Sequence, residues 1–180
     1  KNEIGPSTEE FSVVAILNWD EAQANNPIAY SMFLGQDMPY FNYRSDGRIM
    51  FSFLSSGQQW VYSSEIDMHD KHSEWHNLAF TFDSNAVQDT AKILLDGAEV
   101  QEQNSYTDLF KFSNHNLVVG DWRLDTGDHY TDANFKGMID ELGIYSTAVS
   151  DDQIKRMNDA GKVMFGDWAD GKYGTALHFD

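Results

Sequence analysis

The chain has 180 residues, a length that suits one domain, and its 41% apolar and 23% charged residues are the balance of a globular rather than a disordered protein. Acidic residues outnumber basic ones 29 to 12, and the net charge of −17 repels phosphate backbones and anionic lipid surfaces, which argues against nucleic acid as a partner. Cysteine is absent, so disulfides, thiol catalysis and Cys-ligated metals are excluded. No apolar run reaches the ~18 residues of a spanning helix, so no membrane insertion is expected. There is no Asn-x-Ser/Thr sequon, and a start at Lys1 without a leader is expected of a mature or excised unit.

Alternation with period two, broken by Gly, Asp and Asn, predicts antiparallel strands in chain order. Phe11 to Asn18 is the first and ends at the acidic corner Trp19-Asp20-Glu21. Ala29 to Leu34 and Tyr40 to Arg44 follow. The turn Ser45-Asp46-Gly47 leads into Arg48 to Phe53, and Gln59 to Ser63 is short and aromatic. Trp75 to Asp83 is the clearest strand. Lys92 to Leu95 runs into Asp96-Gly97, a strong hairpin signal, with Glu99-Val100 returning. Asn116 to Gly120 and Gly137 to Tyr145 complete the main set. By strand phase, Phe11, Phe51, Phe53, Phe80, Phe82 and Phe135 are core.

One helix is predicted from Ser150. Gln153 stands where a capping box needs it, and Asp151 and Asp152 suit a positive helix start. Ile154 and Met157 share its apolar face and Gly161 ends it. Many short strands with one short helix near 150–160 give an all-β class: an antiparallel two-sheet jelly-roll sandwich.

Five segments together resemble the concanavalin A-like, laminin G-like jelly rolls of bacterial extracellular proteins. They are Phe11 to Asn18, Trp75 to Asp83, Leu94-Leu95-Asp96-Gly97, Leu117-Val118-Val119-Gly120, and Phe135 to Tyr145 with the following helix start. They come in the family's order. The resemblance implies the jelly-roll fold and a secreted or cell-surface location, while leaving function open. In that family the opening strand resembles Gly171 to Asp180, which here stands last. The expected layout is a jelly roll over 1–161, a linker over 162–170, and a strand over 171–180. Its core is Thr175, Ala176, Leu177, His178 and Phe179. Three arrangements follow: the strand completes its own domain, completes a neighbouring molecule head to tail and builds a filament, or opens a following repeat.

Several constellations are candidates for chemistry. Asp121, Asp125, Asp128 and Asp132 form an acidic segment with the hard oxygens that calcium prefers, and Asp20 with Glu21 is a second such place. Tyr40, Tyr43, Trp60, Tyr62, Trp122 and Tyr130 lie near turns and strand ends, where exposed rings stack on the apolar C–H faces of sugars. Glu65-Ile66-Asp67-Met68-His69-Asp70 resembles the carboxylate strand of laminarinase-type β-glucanases but lacks the second Glu, so it reads as a polar loop. His69, His72 and His76 have helical metal spacing on a stretch that is not helical, so His76 is expected to pack at a strand start. Asp140 is expected to accept a structural hydrogen bond near a sheet corner. No catalytic residues are assigned. The leading expectation is a non-enzymatic extracellular structural or adhesive subunit that assembles with itself; the alternative is a calcium-dependent carbohydrate-binding module whose partner is an extracellular glycan.

Overall fold

The computed structural model of the chain describes residues 7–20, 40–43, 48–54, 60–62, 66–68, 71–86, 90–103, 110–111, 119, 135–165 and 177–179. The first strands are β1 (Ser7–Thr8), β2 (Glu10–Trp19), β3 (Tyr40–Tyr43), β4 (Arg48–Leu54), β5 (Trp60–Tyr62) and β6 (Ile66–Asp67). Then come β7 (Trp75–Asp83), β8 (Ala91–Leu95), β9 (Ala98–Gln103), β10 (Phe110–Lys111) and β11 (Gly137–Tyr145). Helix α1 (Asp151–Phe165) and β12 (Leu177–Phe179) end the order. A six-stranded sheet runs β12-β11-β2-β7-β8-β9, a smaller sheet runs β3-β4-β5 with β6 also on β4, and β1 pairs with β10. Every pairing is antiparallel. The all-β sandwich class is therefore what the sequence folds into. The segments predicted at Ala29 to Leu34 and Asn116 to Gly120 lie outside the described residues, except for Val119, which packs half-buried against the core.

Alternation sorts the large sheet into two faces. Phe11, Val13, Leu17 and Trp19 of β2, Leu78, Phe80 and Phe82 of β7, and Ile93 of β8 face the small sheet's Ile49, Phe51 and Ile66 in one buried cluster. Phe51 and Phe80 stack across the two sheets at a centroid separation of 3.4 Å. The other face carries Val14, Ala79 and Leu94, covered by Val149 and by Ile154 of α1. β2 and β7 are thus buried on both faces, and the order of layers is small sheet, large sheet, helix.

Two polar devices fasten the helix layer. The buried Ser12 hydroxyl donates to the Thr147 carbonyl at 2.9 Å and accepts the Val149 N–H at 2.8 Å. At the helix start Ser150 and Gln153 form the predicted reciprocal box: the Gln153 N–H donates to Ser150 Oγ, and the Ser150 N–H donates to Gln153 Oε1. Two expectations about α1 are corrected. The helix continues through Gly161 to Phe165, so residues 162–165 belong to it and not to a linker; a single helical glycine costs only about 1 kcal/mol, which neighbouring helix formers offset. The face shared with Ile154 carries Asn158, four residues on, while Met157 is exposed.

Candidate functional site

Three places in the described structure gather polar or aromatic residues, and each follows from local chain geometry. The first is the outer face of the small sheet. Register sets Tyr40 opposite Ser52 and Ser52 opposite Tyr62, while Phe41 stands opposite Phe51 and Tyr43 opposite Ile49. Since Phe51 and Ile49 are core residues, alternation places Tyr40, Ser52 and Tyr62 in one row on the face away from the core. Trp60, opposite Leu54, lies on that same face two residues from Tyr62. Tyr43 belongs to the core-side row instead. Tyr40 and Tyr62 stand two strand spacings apart, ~10 Å, and Trp60 lies ~7 Å along β5 from Tyr62, room for more than one sugar ring. At the far end of β4, Arg48 stands opposite Asp67, both exposed and on the same face as the row, since Ile49 and Ile66 beside them are buried.

The second place is the end of the sandwich where β2 stops and β7 and β11 start. The Asp20 N–H donates to the Lys136 carbonyl at 3.1 Å, and the Ser73 N–H donates to the Trp19 carbonyl at 2.7 Å. His76 is buried there, its ring centroid 5.1 Å from that of Trp19, and its Nδ1 lies 2.8 Å from Asp96 Oδ2. The other Asp96 oxygen accepts the Asn77 N–H at 3.0 Å. Asp96 and Gly97 both take positive φ, +53° and +77°, as a two-residue hairpin turn of this kind requires. The turn is wedged against α1, where Asn158 Nδ2 donates to the Asp96 carbonyl at 2.9 Å. His76 is therefore a strand-start residue as expected, oriented by a carboxylate twenty residues away that sequence reasoning did not connect to it. Its Nε2 has no hydrogen-bond partner among the described residues. His72 lies in the preceding turn, 3.4 Å from Ser73 Oγ.

The third is a cleft of about 500 Å³ at the start of α1. Thr81 and Asp83 of β7, Lys92 of β8, and Ser150, Asp151 and Asp152 line it, with small apolar side chains at its edge. Lys92 Nζ lies 3.0 Å from Asp151 and 3.3 Å from Glu99. Partial burial alone depresses the Lys92 ammonium, but the hydrogen bonds and charges of Asp151 and Glu99 outweigh it and hold its pKa above the ordinary value. The Lys92 ammonium is thus already paired, and among the described residues that line the cleft there is no ring to stack on a sugar.

The remaining predicted residues fall as follows. Asp140 Oδ1 accepts the Glu141 N–H at 2.9 Å, at an irregularity in the β11–β2 pairing where Glu141 takes φ +51°. Among the described residues no three His, Asp or Glu side chains converge as a metal site. Asp121, Asp125, Asp128, Asp132, Trp122 and Tyr130 lie outside the described residues, as do Glu21, Glu65, His69, Asp70, Thr175 and Ala176. Leu177, His178 and Phe179 form β12, in register with Ile139, Met138 and Gly137.

Comparison with known proteins gives the fold a family. The profile of the concanavalin A-like lectin/glucanases superfamily matches residues 2–155. No curated protein matches the chain in sequence. Among solved structures, a Bacteroides ovatus protein described as carbohydrate-binding superimposes with a TM-score of 0.62 at 18% identity, over 87% of this chain and 42% of its own. Domain 4 of an extracellular GH43 arabinanase from Geobacillus stearothermophilus, solved with arabinotriose, gives 0.59 at 23% identity, over 84% of this chain and 68% of the other. The ligand-binding domain of botulinum neurotoxin serotype D, solved with N-acetylneuraminic acid, gives 0.60 at 14% identity, over 89% and 38%. The chain thus spans about two fifths of the Bacteroides and neurotoxin chains. At these identities the likeness establishes the fold.

Proposed function

Since the chain belongs to the concanavalin A-like lectin/glucanases superfamily, we propose that it is a non-catalytic carbohydrate-binding module of a secreted protein, with its binding platform on the outer face of the small sheet. The observation that carries this reading is the register that sets Tyr40, Trp60 and Tyr62 on one face, away from the core. Rings so placed offer apolar area to the C–H faces of sugars, and Ser52, Arg48 and Asp67 on the same face supply donors and acceptors for hydroxyls. The net charge of −17 disfavours polyanions, so the ligand is a neutral glycan. Similar folds solved with arabinotriose and N-acetylneuraminic acid support glycan binding as a class of function for this architecture.

In the strand that resembles a β-glucanase carboxylate strand, Asp67 stands opposite Arg48 rather than a second carboxylate, and in the cleft at α1 the carboxylates of Asp151 and Glu99 are both engaged by Lys92. Calcium at Asp121, Asp125, Asp128 and Asp132 belongs to the proposal as an accessory, since these are hard-oxygen residues in one short segment. The test is affinity electrophoresis of the chain through gels containing neutral polysaccharides (arabinan, β-glucan, galactan) or dextran sulfate, each with calcium or with EDTA. Retardation by a neutral polysaccharide is expected, and its loss in EDTA would assign calcium a part. Retardation by dextran sulfate alone, or by none of them, would contradict the reading.

A further inference from the structure

The six-stranded sheet ends on β12, a strand of only three residues supplied from beyond the helix. It pairs antiparallel with the first three residues of β11: Phe179 with Gly137, His178 with Met138, and Leu177 with Ile139. The same three β11 residues pair on their other side with Trp19, Asn18 and Leu17 of β2. Residues 137–139 are thus a strand-acceptor edge at the end of the sandwich that holds Asp20 and Lys136. A Cβ at Gly137 would lie 2.1 Å from the Asn18 carbonyl oxygen and 2.7 Å from Trp19 Cα, so the position requires glycine; and because β2 already pairs with one side of residues 137–139, a further strand joins them on the β12 side.

Chain geometry lets the chain's own strand reach that edge. The middle of α1 is fixed at the β8–β9 turn by Asn158, and Leu177 stands level with that turn through Ile139, Leu17 and His76. Four strand spacings separate β12 from β8, ~19 Å. The seven residues from Asn158 to Phe165 add at most ~10 Å of helix. Twelve residue steps join Phe165 to Leu177 and reach ~40 Å when extended. The span is therefore shorter than the reach, and a tether of such length presents the strand to its own sheet at an effective concentration of the order of ~1 mM. Two molecules this acidic, at −17 each, also repel one another.

We propose that residues 177–179 are an intramolecular strap: the acceptor edge at 137–139 takes an extended segment, and its occupant is this chain's own β12. Donation to a second copy is then confined to concentrations that rival the tether.

The absence of native cysteine makes a direct test available. Residues directly opposite in an antiparallel pair have Cα atoms ~4.5–5.5 Å apart, within the span a disulfide bridges. The double variant Met138→Cys/His178→Cys is oxidised at protein concentrations from micromolar to hundreds of micromolar and run on a non-reducing gel, with each single variant as control. The strap predicts a cross-linked band at monomer mass at every concentration. A ladder of multiples from the double variant, beyond what the single variants give, would overturn it in favour of exchange between molecules. A folded double variant that does not cross-link would overturn the register itself. Native mass spectrometry of the unsubstituted chain over the same range keeps the test decisive if the double variant fails to fold: monomer throughout supports the strap, and a growing series of oligomers contradicts it.

Discussion

The two sheets obey the same alternation and use it differently. In the large sheet β2 and β7 are buried along nearly their whole length, one face on the small sheet and the other toward α1. In the small sheet Ile49 and Phe51 belong to the core, and register puts Tyr40, Trp60 and Tyr62 on the opposite face together with the exposed Arg48 and Asp67. The difference teaches where recognition belongs. Because α1 covers part of the large sheet's outer face, the platform proposed above is assigned to the other sheet, at β3 to β5.

The largest effect that tests this contrast is in the core. Phe80→Ala removes a fully buried ring that stacks on Phe51 and packs on Phe11, and urea unfolding is expected to show a loss of ~3–5 kcal/mol. Ser12→Ala tests the helix-side face: it leaves the Val149 N–H without its acceptor, at an expected cost of ~1–3 kcal/mol by the same measurement. A result near zero would mean that the segment leading to α1 is not held by Ser12. On the platform, the pair Trp60→Ala/Tyr62→Ala is expected to weaken neutral-glycan affinity by ~10-fold or more, equal to ~1.4 kcal/mol, while unfolding stability falls less than in Phe80→Ala. Equal damage to both properties would mean that those rings are core after all.

The smallest effect concerns Lys92→Met, expected at ~0.5 kcal/mol because the ion pairs with Asp151 and Glu99 are only partly buried. Its sign with pH is fixed. The Lys92 pKa is raised on folding above its ordinary 10.5, so the contribution is full below that value and lost as pH rises through the folded-state pKa. Unfolding curves of the two proteins should therefore differ at pH 8 and converge in strong alkali.

Much of this architecture is legible in the residues. Trp75 to Asp83 and Gly137 to Tyr145 are strands with the very ends that alternation and turn residues set, and Asp96-Gly97 turns the hairpin between β8 and β9. The capping box at Ser150 is equally local, and it forms as read. What is not legible depends on partners distant in sequence. Nothing near His76 announces Asp96, because the contact exists only once β7 and β8 pair. Tyr40 and Tyr43 look alike in sequence and are separated by register alone, one opposite Ser52 and the other opposite the buried Ile49. The helix runs past Gly161 to Phe165, because a glycine permits a stop without imposing one. The place of residues 177–179 at the far edge of the sheet likewise follows from β11, forty residues earlier in the chain.

The measurement that bears most directly on the platform is a backbone amide NMR titration of the intact chain with an oligosaccharide of whichever neutral glycan retards it. Shift changes concentrated in residues 40–43, 48–54 and 60–62 are the result this account predicts. Changes confined to the Asp96–His76 end or to the cleft at Lys92, with β3 to β5 unmoved, would contradict it.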